Sequence, residues 1–380
     1  MSSRIEWVGE SCRLLRSIAE EYDSTQPFAG TTIGTGIHLE PKTVALLLTL
    51  RRGGARVVST GNLNSTQPDA VAYLRERGVE VIGGPTTDEQ EHDRHLRTVL
   101  EAQPDLLLDN GGDLFLRWLE QPYPGLRGGT EETTSGRARL REHRDALGVP
   151  VLVINDSPIK QFAENRHAVG QSVFESFLRI TNRATNGRRV TVFGYGACGK
   201  GVAANFRNAG SLVSVVETDP VLRLEASFDG FAVPSRSAAL SGADVVVTVT
   251  GARDVVTVAD LALLRDDVVL LNGGHFPAEI DVAGISSDQS VKTVTEITDG
   301  ITTVRLTDGR RVHLLTDGHM VNLAGPRPLG NSIESMDIGF ALQARCLEAV
   351  AGGRVGAESI VVPVPRFIDE AVAEAYLAAG

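Results

Sequence analysis

The sequence predicts an α/β fold made of two doubly wound parallel-sheet domains. Its 380 residues are more than a single hydrophobic core usually organises. Short apolar runs alternate with amphipathic stretches in both halves of the chain, which is typical of βαβ units on a parallel sheet. A polar, turn-rich segment at 182–187 separates the two alternating patterns. We therefore expect one domain to be built before this segment and another after it.

The first half contains four predicted buried strands with helices between them. The strands are predicted at 55–60, 79–83, 105–108 and 149–154, and the helices at 41–51 and 68–77. In open parallel sheets, ligands bind at the carboxyl ends of the strands. The first candidates for a site are therefore the polar segments that follow the strands, at 62–67, 109–113 and 155–160.

A second βαβ pattern begins after a helix predicted at 172–181. The further predicted elements are strands at 189–193, 212–216, 244–249 and 268–271, and helices at 200–209 and 338–351. We expect the second domain to be inserted into the first. The predicted boundaries are 1–171 for a substrate domain, 172–323 for a nucleotide-binding domain, and 324–380 for a return segment whose helices complete the substrate domain.

A glycine-rich loop lies between the strand at 189–193 and the following helix. Gly194, Gly196 and Gly199 form the pattern G-x-G-x-x-G, which is weak by itself in a chain with 40 glycines. Here the next strand is followed by Glu217, whose carboxylate can accept the adenosine ribose hydroxyls and would repel a 2′-phosphate. The glycines let a pyrophosphate approach the helix N-terminus. This context predicts a Rossmann domain that binds NAD rather than NADP; the alternative is an ordinary strand–turn–helix.

Composition argues against several classes of protein. A net charge of −11 and an aromatic content of 5% disfavour nucleic acid as a partner. No apolar run approaches the roughly 20 residues of a membrane helix, and the first ten residues lack the apolar core of a signal peptide. Cys12, Cys198 and Cys346 are far apart, which indicates neither a disulfide framework nor a zinc site. We expect a cytoplasmic protein without a metal.

Nine motifs occur in the order in which they occur in one known family. They are at 36–38, 64–67, 108–114, 128–134, 155–160, 194–199, 272–276, 321–323 and 369–375. On these motifs the sequence resembles S-adenosylhomocysteine hydrolase across nearly its whole length. The resemblance implies an NAD-dependent enzyme that acts on a nucleoside and assembles as a homodimer or homotetramer. In that family, NAD oxidises the ribose 3′-hydroxyl, a base removes the 4′-hydrogen, the 5′-substituent leaves, water adds and the ketone is reduced.

The resemblance also implies roles for individual residues. Lys160 and Glu164 would handle the proton of the 3′-hydroxyl, Glu132 would bind the 2′- and 3′-hydroxyls, and His38 would transfer a proton near C5′. His275 would contact the substrate. The residues implied to line NAD, besides the glycine loop and Glu217, are Thr133, Thr134, Ser135, Asn165, Thr250 and Asn322. Taken singly, each has a structural alternative, such as a surface lysine or a first-turn acid at a helix start.

The sequence departs from the family at residues that the resemblance implies lie near the nucleobase or the 5′-substituent of the substrate. Asn110 stands at the family's catalytic aspartate, so either His38 transfers the 4′-proton alone or that step is altered. Lys42 stands at the carboxylate that recognises the adenine amino group, and Glu40 at a neighbouring threonine, so this acceptor is lost or relocated. The segment 324–330 is shorter and lacks a histidine. The family's C-terminal tail is absent after Gly380, and NAD is expected to be held less tightly without it.

Three hypotheses on function follow. The first is a nucleoside dehydratase or lyase, of the kind useful in nucleoside-antibiotic assembly, which runs only the family's first half-reaction. The second is a genuine S-adenosylhomocysteine hydrolase that releases adenosine and homocysteine. The third is an NAD- or nucleoside-binding protein without activity; an epimerase or a plain oxidoreductase is a remaining option. The residues implied to bind the ribose hydroxyls and NAD are retained, whereas those implied to bind the nucleobase and the 5′-substituent are altered. This contrast favours the dehydratase or lyase.

Overall fold

The computed structural model describes residues 2–274 and 277–379 and divides the chain into two compact units. The first unit runs to Gln161 and resumes at Ile333, and the second is Phe162–Ser332. This division places 162–171 and 324–332 with the second unit, whereas the sequence analysis assigned these segments to the substrate domain and the return segment. The second unit is therefore inserted into the first, as the order of the sequence patterns predicts.

Strands and helices alternate along most of the described chain. The strands are β1 (Thr32–Ile37), β2 (Arg56–Gly61), β3 (Glu80–Ile82), β4 (Leu106–Asp109), β5 (Gly128–Glu131), β6 (Val151–Val153), β7 (Arg189–Phe193), β8 (Leu212–Val216), β9 (Val245–Thr248), β10 (Val268–Asn272), β11 (Val291–Thr298), β12 (Ile301–Leu306), β13 (Arg311–Leu315) and β14 (Val362–Pro363). The α-helices are α1 (Ser2–Ser11), α2 (Arg13–Thr25), α3 (Pro41–Arg52), α4 (Pro68–Glu76), α5 (Glu89–Glu101), α6 (Asp113–Glu120), α7 (Thr134–Glu142), α8 (Arg144–Leu147), α9 (Val169–Thr181), α10 (Ala197–Asn208), α11 (Pro220–Phe228), α12 (Arg236–Gly242), α13 (Val282–Ser287), α14 (Ile333–Ala351) and α15 (Arg366–Ala378). A π-helix spans Lys160–Ala168.

The sheet of the first unit is parallel throughout, in the order β14-β6-β5-β4-β1-β2-β3. Its central strand β4 is buried along its whole length, which explains why Leu106–Asp109 is an unbroken apolar run up to its last residue. Helix α3 begins with Pro41, whose missing N–H and fixed φ suit the first helical position. The carboxyl end of this sheet is thus framed by loops that lead into helices.

The sheet of the second unit has the order β11-β12-β13-β10-β9-β7-β8. Strands β13, β10, β9, β7 and β8 are parallel, whereas β11, β12 and β13 form an antiparallel extension. Val245 and Val247 pack into one apolar cluster and Val246 into another, so both faces of the sheet are covered. The predicted α/β fold with two doubly wound, mainly parallel sheets is confirmed, and the antiparallel extension is an addition to it.

Several helices begin at residues other than those predicted from the sequence. The helix after the glycine loop begins at Ala197 rather than at 200, so Gly199 belongs to the helix. Helix α9 begins at Val169 and α14 at Ile333, both earlier than their predicted starts. Periodicity identifies the buried stripe of a helix but not its first turn. Within residues 2–274 and 277–379, no helix is long and apolar enough to cross a membrane.

Candidate active site

Four polar side chains meet at the carboxyl edge of the first sheet. His38 follows β1, Asn62 follows β2, Asn110 follows β4 and Glu132 follows β5. These strands are neighbours in the order β5-β4-β1-β2, so their carboxyl ends lie side by side. Lys160 comes after β6, the next strand in the same sheet. The topology therefore gathers these residues at the edge where parallel sheets bind ligands.

A chain of hydrogen bonds joins the residues expected to bind the ribose. The Lys160 Nζ lies 3.0 Å from Glu132 Oε1, and Asn110 Nδ2 donates to Glu132 Oε2 at 2.7 Å. Asn62 Nδ2 donates to Asn110 Oδ1 at 2.9 Å. Burial alone would raise the pKa of Glu132, but the charge of Lys160 and the two hydrogen bonds outweigh it and lower that pKa. Glu132 is therefore an ionised acceptor beside a cation.

His38 is held by a hydroxyl group on the loop after β2. A hydrogen bond joins His38 Nδ1 to Ser65 Oγ, and the His38 carbonyl accepts from Thr43 Oγ1 at 2.6 Å. The imidazole is half-buried. Ser65 lies in the polar segment 62–67 that the sequence analysis singled out, although no role was assigned to it there. Its hydroxyl fixes the ring of the residue expected to move protons.

Glu40 and Lys42 form a buried ion pair at the start of α3. Their charged groups are 2.8 Å apart, and their side chains are 7% and 4% exposed. Burial raises the pKa of Glu40, and the charge of Lys42 opposes that rise. A carboxylate therefore lies two residues before Lys42 and is paired with its ammonium group. The pair offers one acceptor and one donor side by side.

Two further carboxyl groups lie buried beneath the Asn110 turn. Asp109 and Glu131 are paired residues of β4 and β5, and both side chains are inaccessible to solvent. Asp109 accepts hydrogen bonds from the backbone of Asn110, Leu114 and Phe115. Burial raises the pKa of Asp109 to about 7. Burial and the nearby charge of Asp109 raise the pKa of Glu131 to about 8. Sequence analysis assigned neither residue a role.

The substitution Glu131→Gln is expected to flatten the pH dependence of thermal stability between about pH 4.5 and 8. The pKa of Glu131 is raised from 4.5 to about 8, so across this window the folded state keeps a proton that the unfolded state releases. The stability from this group is therefore fully present below about pH 4.5 and is lost as pH rises toward 8.

Calorimetric unfolding of both proteins at a series of pH values measures this difference. The variant should lose less stability than the wild type between the two limits. Parallel pH profiles for the two proteins would mean that Glu131 is not the group that titrates there.

The glycine loop of the second unit has the shape that a dinucleotide requires. Gly194 has φ +98°, a conformation that favours glycine, and a Cβ on Gly199 would lie 2.1 Å from the Gly194 carbonyl oxygen. No heavy atom lies within 4 Å of a Cβ placed on Gly196. The first and third glycines thus permit the turn and the close helix packing, and the second leaves open space for a pyrophosphate. These residues fit NAD.

Glu217 closes the glycine loop from the end of β8. Its Oε2 accepts from Tyr195 N at 2.7 Å, and its Oε1 accepts from Asp219 N at 3.0 Å. Burial alone would raise its pKa, but backbone hydrogen bonds from Asp219, Tyr195 and Thr218 lower it. Glu217 is therefore an ionised acceptor beside the loop, as recognition of a ribose diol requires.

The substitution Glu217→Ala is expected to weaken NAD binding about 10- to 100-fold, because a hydrogen bond to a charged group contributes about 1.5–3 kcal/mol. The preference for NAD over NADP should also narrow, since the charge that repels a 2′-phosphate is removed. Calorimetric titration with each dinucleotide measures both effects. Glu296→Ala, an exposed substitution on β11, is the matched control. Unchanged NAD affinity in Glu217→Ala would contradict the assignment.

Two other residues implied to line the cofactor, Thr250 and Asn322, form hydrogen bonds with polar side chains of the second unit. Glu279 Oε2 accepts from both the backbone and the hydroxyl of Thr250, each at 2.9 Å. Asn322 Nδ2 donates to Ser172 Oγ at 3.0 Å. Asn331 accepts from Ser172 at 2.9 Å and donates to Glu164 Oε1 at 3.5 Å. No sequence pattern singled out Glu279, Ser172 or Asn331.

The other residues predicted to line the cofactor are Thr133, Thr134, Ser135 and Asn165. The hydroxyl of Thr133 caps α7 by accepting from Gly136 N and lies 3.0 Å from that of Ser135, while Thr134 is exposed. Asn165 is half-buried on the π-helix. His275 lies outside the described residues. In the described part of the chain, no group of three or more acidic, histidine or cysteine side chains is arranged to hold a metal ion.

Comparison with known proteins identifies the family. Residues 3–122 match the model for S-adenosyl-L-homocysteine hydrolase, and residues 165–327 match the model for its NAD-binding domain. The chain is 40% identical to adenosylhomocysteinase from Thermotoga maritima, over 98% of this chain and 93% of that protein. It is 39% identical to S-inosyl-L-homocysteine hydrolase from Methanopyrus kandleri, over 98% of this chain and 89% of that protein.

These matches span nearly the whole chain and both of its units, so they identify more than a shared nucleotide-binding domain. They also set aside the hypothesis of a binding protein without activity, because the relatives are enzymes. The chain is an NAD-dependent enzyme that belongs to the S-adenosyl-L-homocysteine hydrolase family.

Proposed function

We propose that this enzyme eliminates the 5′-type substituent of a nucleoside after transient oxidation of its ribose 3′-type hydroxyl, and so acts as a nucleoside dehydratase or lyase. The observation that carries the proposal is the amide of Asn110, which bridges Asn62 and Glu132 where the family has an acid. NAD, when bound, supplies the reversible removal of hydride that this chemistry needs.

The ribose hydroxyls are assigned to Glu132 and Lys160. An ionised carboxylate has about four acceptor sites, and in Glu132 the described bonds to Lys160 and Asn110 use two of them. Glu132 can therefore accept hydrogen bonds from vicinal hydroxyls of the sugar. Lys160, 3.0 Å from this carboxylate, is assigned to the hydroxyl that is oxidised. Its ammonium group first gives one proton to solvent, and the neutral amine then takes the proton of that hydroxyl.

Asn110 holds the ribose-binding group but cannot transfer a proton. Its amide nitrogen donates to Glu132 and its amide oxygen accepts from Asn62, so both polar atoms of the amide form hydrogen bonds within the protein. Proton transfer at C4′ and C5′ then falls to His38. One imidazole is sufficient for loss of water: it takes the 4′-proton and gives it to the 5′-oxygen, so that the C4′–H and C5′–O bonds break and a C4′=C5′ double bond forms.

The nucleobase is assigned to the Glu40–Lys42 pair. A carboxylate beside an ammonium group matches a base edge that presents a donor next to an acceptor. Adenine offers its amino group and N1 in this pattern, and hypoxanthine offers N1–H and O6. The pair thus supports a purine nucleoside and accepts either base, a breadth consistent with the two kinds of relative described above.

A second candidate is hydrolysis of S-adenosyl- or S-inosyl-homocysteine. It is favoured by 40% and 39% identity over 98% of the chain to enzymes named for these activities. In this case the leaving group is a thiol, which needs less help from a proton donor than water does, and water adds back after elimination.

Product analysis separates the two candidates. NAD-loaded enzyme is incubated with S-adenosylhomocysteine, S-inosylhomocysteine, and a panel of purine nucleosides that carry a free 5′-hydroxyl, and the products are identified by mass spectrometry. The proposal expects a nucleoside that has lost one water, with weak or no release of homocysteine. Rapid release of homocysteine, with no dehydrated nucleoside, would establish the hydrolase instead.

A further inference from the structure

The Glu131 side chain occupies an unusual position between two functional turns. It is inaccessible to solvent and is the last residue of β5, directly before Glu132. Its Oε1 accepts hydrogen bonds from Gly111 N at 3.1 Å and from Thr133 N at 2.7 Å, and its Oε2 accepts from Gly112 N at 2.8 Å. The Thr133 hydroxyl donates to Oε1 as well, at 2.7 Å.

These four donors come from two separate loops. Gly111 and Gly112 belong to the turn after β4, which carries Asn110, whereas Thr133 belongs to the loop after β5, which carries Glu132. Both loops contribute to one hydrogen bond, from Asn110 Nδ2 to Glu132 Oε2. The Glu131 carboxyl group therefore links the backbone of the turn that carries Asn110 to the backbone of the loop that carries Glu132.

The surroundings leave this carboxyl group almost no freedom. A Cβ on Gly136, in the first turn of α7, would lie 2.2 Å from Glu131 Oε1. Arg139 Nη1, from α7, donates to the Gly111 carbonyl at 2.6 Å and so holds the turn after β4 from its outer side. The Glu131 side chain is thus fixed by its packing as well as by its hydrogen bonds.

We propose that Glu131 is a positioning residue, which locks the Asn110 turn to the Glu132 loop and so fixes the direction in which Glu132 presents its carboxylate to the ribose. This inference rests on the assignment of Glu132 to the ribose hydroxyls in the proposed function. Glu131 itself does not contact the substrate. It acts through backbone groups, and displacement of a binding group by about 1 Å can reduce turnover about 100-fold.

Two variants test the proposal in the NAD-loaded, full-length enzyme. Glu131→Gln keeps the size of the side chain, but an amide has only one oxygen, so at least one backbone donor loses its acceptor in either orientation. Gly136→Ala keeps the carboxyl group and displaces it, while alanine favours the helix. Asp337→Asn is the matched control, because Asp337 is also a buried carboxyl group that accepts two backbone hydrogen bonds, from Leu14 and Leu15.

The expected result is a fall in kcat of about 100-fold in Glu131→Gln and Gly136→Ala, measured at saturating NAD because Thr133, which Glu131 binds, is implied to line the cofactor. Asp337→Asn should lose thermal stability and keep kcat within about threefold of the wild type. A kcat near the wild-type value in both Glu131→Gln and Gly136→Ala would overturn the proposal, as would an equal fall in Asp337→Asn.

Hydrogen exchange provides a readout that does not depend on the reaction. Backbone amides at 110–115 and 132–136 should exchange faster in Glu131→Gln than in the wild type, and at the wild-type rate in Asp337→Asn. If the wild type converts no nucleoside, the proposed function fails, and exchange rates alone then decide the positioning role. Unchanged exchange in both loops of Glu131→Gln would reject that role.

Discussion

Replacing Lys160 with alanine is expected to abolish oxidation of the sugar, so that reduced nicotinamide does not accumulate when nucleoside is added to the NAD-loaded enzyme. Loss of a positioned proton-transfer group typically lowers a rate about 10²- to 10⁴-fold. Removal of Lys160 also deprives the buried Glu132 carboxylate of its ion-pair partner, and breaking a buried pair costs about 3–5 kcal/mol of stability. Stopped-flow absorbance of the nicotinamide measures the first effect, and thermal unfolding measures the second.

Lys292→Ala is the matched control for this prediction, because Lys292 is exposed on β11 of the second unit. The control should oxidise the sugar at the wild-type rate. Formation of reduced nicotinamide in Lys160→Ala at a rate near that of the wild type would remove Lys160 from the redox step, even if the variant is less stable.

The substitution His38→Ala is expected to separate oxidation from elimination. Reduced nicotinamide should still appear when nucleoside is added, because Lys160 and Glu132 are intact, but product release should fall about 10²- to 10⁴-fold. The physical reason is that the proton removed at C4′ must be delivered to the leaving group, and His38, held by Ser65, is the group assigned to that transfer. Rapid quenching with mass spectrometry, combined with nicotinamide absorbance, measures the two steps separately.

His143→Ala, at an exposed position of the first unit, is the control and should behave as the wild type. If His38→Ala stalls before reduced nicotinamide forms, His38 belongs with the ribose-binding residues rather than with elimination. If it releases product normally, the assignment of proton transfer to this histidine is wrong.

The strands that the sequence predicts correctly are those whose burial is visible as an apolar run. The run at 105–108 corresponds to β4, which is buried on both faces. Strand β5 has the sequence GGTE and gives no such signal. Its glycines reflect packing, because a Cβ on Gly129 would lie 1.8 Å from the Leu107 carbonyl oxygen. Tertiary contact therefore determines this strand, and periodicity does not detect it.

The same limit applies to the candidate site. Asn110 and Lys160 lie in polar segments after predicted strands, so strand order alone points to them. Glu132 was assigned through the family resemblance, since β5 was not recognised as a strand. Glu131 was not assigned at all, although it precedes Glu132 directly: its role depends on backbone donors from two loops that are about 20 residues apart in sequence. No local pattern encodes that arrangement.

Oxidation of the sugar before its 5′-substituent leaves can be observed in a single turnover with a nucleoside deuterated at C3′. The NAD-loaded wild-type enzyme is mixed with labelled or unlabelled substrate, and nicotinamide absorbance and product are followed together. We expect reduced nicotinamide to appear before product, and deuterium to slow the appearance of reduced nicotinamide. Product formation without any reduced nicotinamide, at a rate that deuterium does not change, would contradict this expectation.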